Sequence, residues 1–413
     1  MTERYTLLPL FDTLENITDT IEPSWNNAPF FCKTDYKNAI EFLTSYNGSH
    51  ATFNAYRREL ERLLHWSWKI AHKSICDLRR ADIEAYLQFC QKPPESWIGL
   101  KKVPRFILEN ALRVPNPEWR PFVVTISKSA NRSGEKMEIK NYLMSETALK
   151  EIFAITSSFY NFLIQIEATE INPVAHIRQK SKFIRKHQSK PKIRRLSELQ
   201  WEYVIETAEM LAKENADKYE RTLFILSALF LMYLRISELA ASSRWTPYMN
   251  DFRKDNDGNW WFTVVGKGNK EREIAVSDSM LKALKRWRTH LNLSPLPSPA
   301  DKSFMIPKIK GAGAISNTSF IRKIVQFCFN KTIDRLNQDG FTEDADVLSE
   351  ATVHWLRHTG ISEDVKRRPR EHVRDDAGHS SGAITDKYID IERRDRHATA
   401  KKKLLKQDEC VTN

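Results

Sequence analysis

The chain is poor in cysteine and lacks an apolar run long enough to cross a bilayer. Its 413 residues include five cysteines, an odd number, with no C-x-x-C pair. This pattern favours reduced thiols and excludes a disulfide framework or a zinc knuckle. The longest apolar run, "LFILSALFLMYL" at 223–234, is too short to span a membrane and predicts a buried helix. The N-terminal "MTERYTLLPLF" has no signal pattern, so we expect a cytoplasmic protein.

The chain has fewer acidic than basic residues. The 53 Asp and Glu residues are outnumbered by 65 Lys and Arg residues, which gives a formal net charge of +12. This excess favours a polyanionic partner, with nucleic acid ahead of an anionic membrane surface. The length of 413 residues leaves room for two domains and a substantial buried core.

Helical periodicity dominates the chain, and its interruptions indicate the domain organisation. Residues 1–30 contain three prolines and little periodicity, which predicts an irregular N-terminal arm. A helical domain is expected over 31–177, with an insertion at about 93–145 that contains "KPPESW" and "VPNPEWRPF". Residues 178–195 form a basic linker, and 196–413 form a second domain that ends in a C-terminal tail.

The linker has nine basic residues and no acidic residue. Such a run is either a solvated connection or a segment that lies along phosphates. The candidate DNA-binding residues are Arg178, Lys180, Lys182, Arg185, Lys186, Lys190, Lys192, Arg194 and Arg195.

One stretch of the second domain has the pattern of strands. In "NWWFTVVGKGNKEREIAV" at 259–276, aromatic and β-branched residues flank a glycine turn that begins at Gly266. This pattern predicts a β-hairpin. The expected fold is therefore mainly α, with a small antiparallel β-sheet in the second domain.

Arg235, in "LRISEL", adjoins the long apolar run, and we interpret it as the end of the buried helix. An arginine next to an apolar segment requires an anionic partner. The sequence leaves two partners open, an ion pair with Glu238 or a bound phosphate.

A second motif, "HWLRHT", places His354 and Arg357 on one face of a helix, with His358 four residues after His354. Two histidines at this spacing also occur in zinc sites. Here Trp355 stands where the zinc pattern has glutamate, and Arg357 would place a positive charge beside the metal. We therefore expect no metal site.

The third motif is "AGHSSGAITDKYIDI" at 377–391, where Tyr388 follows the pair Gly378-His379 by nine residues. Tyrosine, with a pKa of about 10, is a poor nucleophile at neutral pH unless nearby cations favour its phenolate. One reaction, phosphoryl transfer, would account for the residues of all three motifs. Arginines hold the non-bridging oxygens of a phosphate, and histidines supply further hydrogen bonds.

The motifs "LRISEL", "HWLRHT" and "AGHSSGAITDKY", in this order and separation, resemble those of the tyrosine recombinase (phage integrase) family. The resemblance spans most of 197–395. It implies a two-domain DNA clamp with a helical core-binding domain and a catalytic domain. It also implies a reaction that needs no cofactor, metal or ATP.

The resemblance assigns roles to individual residues. Tyr388 is the nucleophile and forms a 3′-phosphotyrosyl link. Arg235, Arg357 and His379 stabilise the charge that develops on the phosphate. His354 orients the phosphate or handles protons.

The glycine hairpin lies where the family carries its catalytic lysine. Lys267 is therefore expected to protonate the leaving 5′-oxygen, with Lys270 as the less favoured candidate. Glu238 is expected to support Arg235.

The implied partners are double-stranded recombination sites and three further copies of the chain, with accessory DNA-bending or directionality factors left open. Two other functions compete with recombination. A type IB topoisomerase-like enzyme would use similar chemistry on one duplex, and a non-catalytic DNA-binding protein would retain only the fold. The complete set of candidate catalytic residues argues against the non-catalytic alternative.

Overall fold

The structure is a computed structural model and divides into two compact units, residues 1–189 and residues 190–413. We call them the N-terminal unit and the C-terminal unit. In the part of the chain that the structure describes, no helix is both long enough and apolar enough to cross a membrane. The described residues are 7–17, 29–45, 50–126, 128–132, 134–178, 194–266, 269–379 and 381–386.

The N-terminal unit consists mainly of helices, together with two small sheets. The helices are α1 (Phe30–Ser45), α2 (His50–Trp66), α3 (Arg80–Gln91), α4 (Lys128–Arg132), α5 (Glu146–Gln165) and α6 (Ala175–Arg178). The strands are β1 (Ile98–Gly99), β2 (Phe106–Glu109), β3 (Leu112–Pro115) and β4 (Phe122–Val123). Strands β1 and β4 pair in parallel, and β2 and β3 pair antiparallel. Single turns of 3₁₀ or π helix occur at Ser67–Ala71, Ile75–Asp77, Glu95–Trp97 and Ile139–Asn141.

Local sequence signals fix the starts of two of these helices. The hydroxyl of Ser145 accepts a hydrogen bond from the backbone N–H of Ala148 at 3.1 Å, which caps α5. In the first turn of α3, the carboxylate of Asp82 accepts from the N–H of Arg79 at 2.9 Å. Both helix starts therefore follow from side chains close by in the sequence.

Residues 7–17 contain no helix or strand, and they pack into the core of the N-terminal unit. The N–H of Leu10 donates to the buried carboxylate of Glu61 at 2.6 Å. The ring of Phe11 stacks on Tyr36 of α1, with 5.3 Å between the ring centroids. These contacts join the segment to α1 and α2.

The predicted insertion at about 93–145 also contributes to this core. Trp97 and Phe122 are buried in it, and their ring centroids are 6.5 Å apart. The guanidinium of Arg62, on α2, lies over the ring of Phe122 at 4.6 Å. The insertion is therefore packed against α2.

The C-terminal unit surrounds a larger core with helices and one three-stranded sheet. The helices are α7 (Glu198–Glu214), α8 (Ala216–Leu231), α9 (Ile236–Leu239), α10 (Asp278–His290), α11 (Thr318–Gln338), α12 (Thr342–Ser349), α13 (Val353–Asp364), α14 (Arg370–Ala377) and α15 (Gly382–Thr385). The strands are β5 (Phe252–Lys254), β6 (Trp260–Val265) and β7 (Glu271–Ala275), and a 3₁₀ turn lies at Met249–Asp251.

The predicted β-hairpin is confirmed. Strands β6 and β7 pair antiparallel, with Val265 opposite Glu271 at the turn. Phe262 and Ile274 face each other across the pair and are fully buried, so one face of the hairpin packs on the core. Strand β5 adds a third antiparallel strand that the sequence did not predict. The expected fold class, mainly α with small antiparallel sheets, is confirmed.

The interpretation of Arg235 as the end of the buried helix is wrong. Helix α8 ends at Leu231, and Arg235 is the first residue before α9. Between them, Tyr233 has a φ of 50°, which ends the helix. Tertiary contacts hold this uncommon conformation, because the carbonyl of Tyr233 accepts from Arg357 and its hydroxyl donates to Asp364.

A close contact between helices positions the second motif. Helix α13 packs against the end of α8, and a Cβ atom at Gly360 would overlap the carbonyl oxygen of Phe230. Glycine therefore lets α13 approach α8 closely. This approach brings Arg357, on the same helix, within reach of the carbonyl of Tyr233.

Candidate active site

Arg235 forms an ion pair with Glu238. Nη1 of Arg235 donates to Oε1 of the carboxylate at 2.8 Å, and the backbone N–H of Arg235 donates to Oε2 at 2.8 Å. Of the two partners that the sequence left open, the ion pair is thus present. The side chain of Arg235 keeps 31% of its surface exposed, which leaves the guanidinium accessible to a bound anion as well.

Glu238 is also bound by Arg272, a residue of β7 that the sequence analysis did not single out. Nη1 and Nη2 of Arg272 donate to the two carboxylate oxygens of Glu238, each at 2.9 Å. Burial alone would raise the pKa of Glu238, but the hydrogen bonds and charges of Arg272 and Arg235 outweigh burial and lower that pKa. One buried carboxylate therefore orients two guanidinium groups.

The sequence of β7 contains a signal that could have identified Arg272 as a residue of the site. In "EREIA", the alternation of a strand puts Arg272 on the same face as Ile274, which is fully buried. An arginine on the apolar face of a strand requires an acceptor inside the fold. That acceptor, Glu238, lies 34 positions earlier in the chain, so spacing alone did not connect them.

The turn of the hairpin begins against this cluster. A Cβ atom at Gly266 would lie 3.0 Å from Nη1 of Arg272 and 3.2 Å from Oε1 of Glu238, so the close approach favours glycine. Lys267 is the next residue and lies outside the described residues. Lys270, the less favoured candidate, is described and is exposed.

Arg357 is 2% exposed and reaches two separate segments of backbone. It donates through Nη1 to the carbonyl of Tyr233, before α9, and through Nη2 to the carbonyl of Ala377 at 2.5 Å. These bonds link the first and third motifs through the second. The guanidinium is consequently fixed in place by the fold.

The pair Gly378-His379 follows directly. The carbonyl of Gly378 accepts from Nη2 of Arg235 at 3.3 Å. Gly378 has a φ of 62° at the end of α14, and a Cβ atom there would lie 2.8 Å from Cδ of Arg272. Both the backbone conformation and the contact with Arg272 require glycine. The next residue, His379, forms a hydrogen bond between Nδ1 and Oγ1 of the buried Thr385 at 2.9 Å.

The surroundings of the three histidines of the site favour the neutral imidazole. Desolvation, followed by the charges of Arg357 and Arg235, lowers the pKa of His379 to about 4. The same two causes lower the pKa of His354. Desolvation and then the neighbouring His354 lower the pKa of His358 to about 4. The positive charge of Arg357 thus contributes to lowering the pKa of all three imidazoles.

His354 and His358 lie close together on α13. The rings of His354 and His358 are 4.2 Å apart between centroids, with Arg357 on the intervening turn. Among the residues that the structure describes, no group of three or more His, Cys, Asp or Glu side chains could hold a metal ion.

A second charged network, also missed by the sequence analysis, supports α14. Arg368 donates to the buried carboxylate of Asp376 at 2.6 Å and to the hydroxyl of Tyr233 at 3.1 Å. Asp376 also accepts from the N–H of Ala275, on β7, at 3.2 Å. The network joins the hairpin, α14 and the turn before α9.

The structure therefore brings Arg235, Glu238, His354, Arg357 and His379 together. Tyr388, the residue expected to be the nucleophile, lies outside the described residues. So do Lys180, Lys182, Arg185, Lys186, Lys190 and Lys192 of the linker. Arg178 ends α6, Arg194 is exposed, and Arg195 is partly buried before α7.

Two curated relatives match part of the chain. The tyrosine recombinase XerD of Rickettsia conorii is 24% identical over 182 residues, which cover 44% of this chain and 56% of that protein. The XerD protein of Rickettsia bellii is 24% identical over 183 residues, with the same coverage. The chain thus matches about half the length of these relatives. No family model matches the chain.

Solved structures match over most of the chain. The XerH site-specific recombinase, bound to a palindromic difH substrate in a post-cleavage complex, superposes with a TM-score of 0.53 at 14% identity. The match covers 90% of this chain and 87% of that chain. The integrase of the Tn1549 transposon, in complex with a circular intermediate DNA, gives a TM-score of 0.50 at 14% identity over 90% of this chain and 98% of that chain.

These matches define the class of protein: the chain has the fold of the site-specific tyrosine recombinases. The resemblance inferred from the three motifs is confirmed, and it is the tyrosine recombinase (phage integrase) family that this chain resembles.

Proposed function

We propose that this chain is a site-specific DNA recombinase that cuts and rejoins strands through a 3′-phosphotyrosyl intermediate. The observation that carries this proposal is the convergence of three motifs on one short backbone segment. Arg357 donates to the carbonyl of Ala377, Arg235 donates to the carbonyl of Gly378, and His379 is the next residue. Arginines and neutral histidines fixed in this way are suited to a phosphodiester.

In the proposed reaction, the phenolic oxygen of Tyr388 attacks the scissile phosphorus. A bond forms between phosphorus and this oxygen, and the bond to the 5′-oxygen breaks. The proton of the phenol passes to His354 or to water, and the leaving 5′-oxygen gains a proton from Lys267, with Lys270 as the alternative acid. The phosphodiester is conserved, so the 5′-hydroxyl of a second strand can reverse the step without ATP.

The described side chains act on the charge of the phosphate. Arg235 and Arg357 hold its non-bridging oxygens, and His354 and His379 contribute hydrogen bonds. Because the arginines are held by Glu238 and by backbone carbonyls before substrate binds, little reorganisation is needed as negative charge develops. The site is preorganised for the transition state.

The proposed partner is duplex DNA that carries a recombination site. The two units would enclose the duplex as a clamp, and the basic residues of 178–195 would neutralise backbone phosphates. Exchange between two sites would involve four copies of the chain, in the cytoplasm, with accessory DNA-bending or directionality factors as further partners.

The direct test is the covalent intermediate. Tyr388→Phe should bind target DNA like the wild type but form no protein–DNA adduct that survives a denaturing gel. Tyr203→Phe is a matched control, because Tyr203 is in the same unit and its hydroxyl bonds to Asp339 outside the site. An adduct that persists in Tyr388→Phe would refute the assignment of the nucleophile.

The competing functions give different results in the same assay. A topoisomerase-like enzyme would relax supercoiled plasmid without a specific site, and a non-catalytic binder would protect a site but never form an adduct. Wild-type cleavage should continue in EDTA. Loss of cleavage in EDTA would revive the zinc interpretation of His354 and His358.

A further inference from the structure

The N-terminal unit contains a strongly basic cavity, separate from the candidate active site. Its volume is about 650 Å³, and it opens between α2, the start of α5 and the segment 101–125 of the insertion. Positive charges outnumber negative ones along its wall. The charged lining residues are the basic Arg57, Arg58, Arg62, Lys101, Lys102, Arg105, Arg113 and Arg120 and the acidic Asp12, Glu59 and Glu151.

Part of the positive charge is compensated. The guanidinium of Arg113 donates to the carboxylate of Asp12 at 2.7 Å. Arg105 pairs with Glu61, which lies behind the wall and is fully buried. Arg58 pairs with Glu151 at 2.9 Å. These pairs join the insertion to the segment 7–17 and to α2, and they join α2 to α5.

Other cations in the cavity have no carboxylate partner among the described residues. Arg120 donates to the carbonyls of Pro117 at 2.7 Å and Trp119 at 2.6 Å, which neutralise no charge. Lys102, at the rim, is exposed and forms no hydrogen bond or ion pair with the described residues. An anion entering the cavity would therefore meet cations that are not already neutralised.

Arg57 is a further lining cation without an ion-pair partner among the described residues. It is 8% exposed, its Nη2 donates to Oδ1 of Asn54 at 2.6 Å, and its Nη1 donates to the carbonyl of Asp12. Its Nε is buried, without a hydrogen-bond partner among the described residues. Both hydrogen bonds of the guanidinium go to neutral acceptors, which leave its positive charge uncompensated.

The electrostatics of Arg105 agree with an excess of positive charge. Burial, followed by the charges of Arg57 and Arg58, lowers the pKa of Arg105 to about 9. Neighbouring guanidinium groups thus repel one another along the cavity wall, and an anion would relieve this repulsion.

We propose that this cavity binds phosphate groups, supplied either by the backbone of a DNA duplex or by a free phosphorylated small molecule. The cations come from α2 and from the insertion at 93–145, so the insertion gives the N-terminal unit an anion site of its own. The proposal does not depend on DNA cleavage. It fits a multiply charged anion because several cations line one cavity.

The test uses the full chain with Tyr388→Phe, so that covalent trapping does not disturb the measurement. Lys102→Gln with Arg120→Gln removes two cations of the cavity whose loss breaks no described ion pair. Lys92→Gln with Lys136→Gln removes two exposed lysines of the same unit outside the cavity and serves as the matched control. One arm titrates pyrophosphate by calorimetry, and the other measures duplex affinity against salt concentration.

In the first arm, the cavity variant should bind pyrophosphate about tenfold more weakly, and the control should match the parent. If DNA supplies the phosphates, the cavity variant should also reduce the slope of log affinity against log salt by about two units, since each phosphate contact contributes about 0.9. A loss of pyrophosphate binding with an unchanged DNA slope would identify a free phosphorylated molecule as the ligand.

The proposal is overturned if the cavity variant equals the control in both arms. It is also overturned if pyrophosphate does not bind the parent and the DNA slopes of the two variants agree. Neither result would bear on the phosphotyrosyl adduct, which is measured separately with Tyr388 intact.

Discussion

Asp35 of the N-terminal unit and Glu238 of the C-terminal unit are both buried carboxylates, but their surroundings differ. In the N-terminal unit, Asp35 accepts hydrogen bonds from the neutral groups of Trp68, Ser74 and the N–H of Ile75. Burial raises the pKa of Asp35. In the C-terminal unit, Glu238 lies between two arginines that lower its pKa.

The difference separates a buried carboxylate that supports packing from one that orients the arginines of the candidate site. Neutral donors around Asp35 join α1 to the segment after α2, and protonation of this carboxyl would leave that packing in place. Glu238 must stay ionised, because Arg235 and Arg272 share it. Two cations on one anion leave positive charge at the candidate active site, where a phosphate can use it.

The largest expected effect concerns the buried arginines of the C-terminal unit. Arg357→Lys keeps the positive charge but loses the planar guanidinium. A lysine cannot bond to the carbonyls of Tyr233 and Ala377 and at the same time hold a phosphate in a fixed orientation. We expect single-turnover cleavage of bound DNA to slow by about 10²- to 10³-fold.

Arg288→Lys is the matched control for that experiment. Arg288 is 1% exposed and pairs with Asp301 at 2.8 Å, away from the three motifs. This variant should lose stability but cleave at the wild-type rate once bound to DNA. Equal slowing in the two variants would show that a buried arginine anywhere in the unit affects the rate through stability alone.

The buried carboxylates should differ in their effect on stability. Glu238→Gln leaves two guanidinium groups without their shared charge and should lower the free energy of unfolding by about 3 kcal/mol. Asp35→Asn can retain the oxygen that accepts from Trp68 and Ile75 while its amide donates to Ser74, so its effect should stay below about 1 kcal/mol. Urea denaturation at pH 7 measures both, and equal losses would contradict the distinction drawn between the units.

The smallest expected effect is a pH dependence of stability. The folded-state pKa of His358 is about 4, lowered first by desolvation and then by His354 and Arg357. The unfolded chain takes up this proton below about pH 6.5, so the unfolded state binds more protons between these values. Stability should therefore fall as the pH falls from 6.5 towards 4.

His358→Gln should reduce the difference in urea midpoint between pH 7 and pH 5, whereas replacement of the exposed His372 should leave the difference unchanged. If both variants keep the wild-type difference, other groups account for the acid sensitivity.

Local features of this protein could be predicted from the sequence because their causes are local. The cap at Ser145, the hairpin around Gly266 and the shared helix of His354 and Arg357 follow from neighbouring residues alone. The order of the three motifs also led to the family whose fold the structure has. The end of α8 was misplaced, because Tyr233 is held in its turn by Arg357 and Asp364, more than 100 positions away.

The sequence by itself determined the helical class, the hairpin and the residue types of the candidate site. Only the tertiary structure decided which groups each charged side chain contacts. It placed Arg272 on Glu238, joined Arg357 to the carbonyl of Ala377, and turned the insertion into one wall of a basic cavity. The physical reason is that a buried charge is stabilised by groups close in space, and the chain brings such groups together from distant positions.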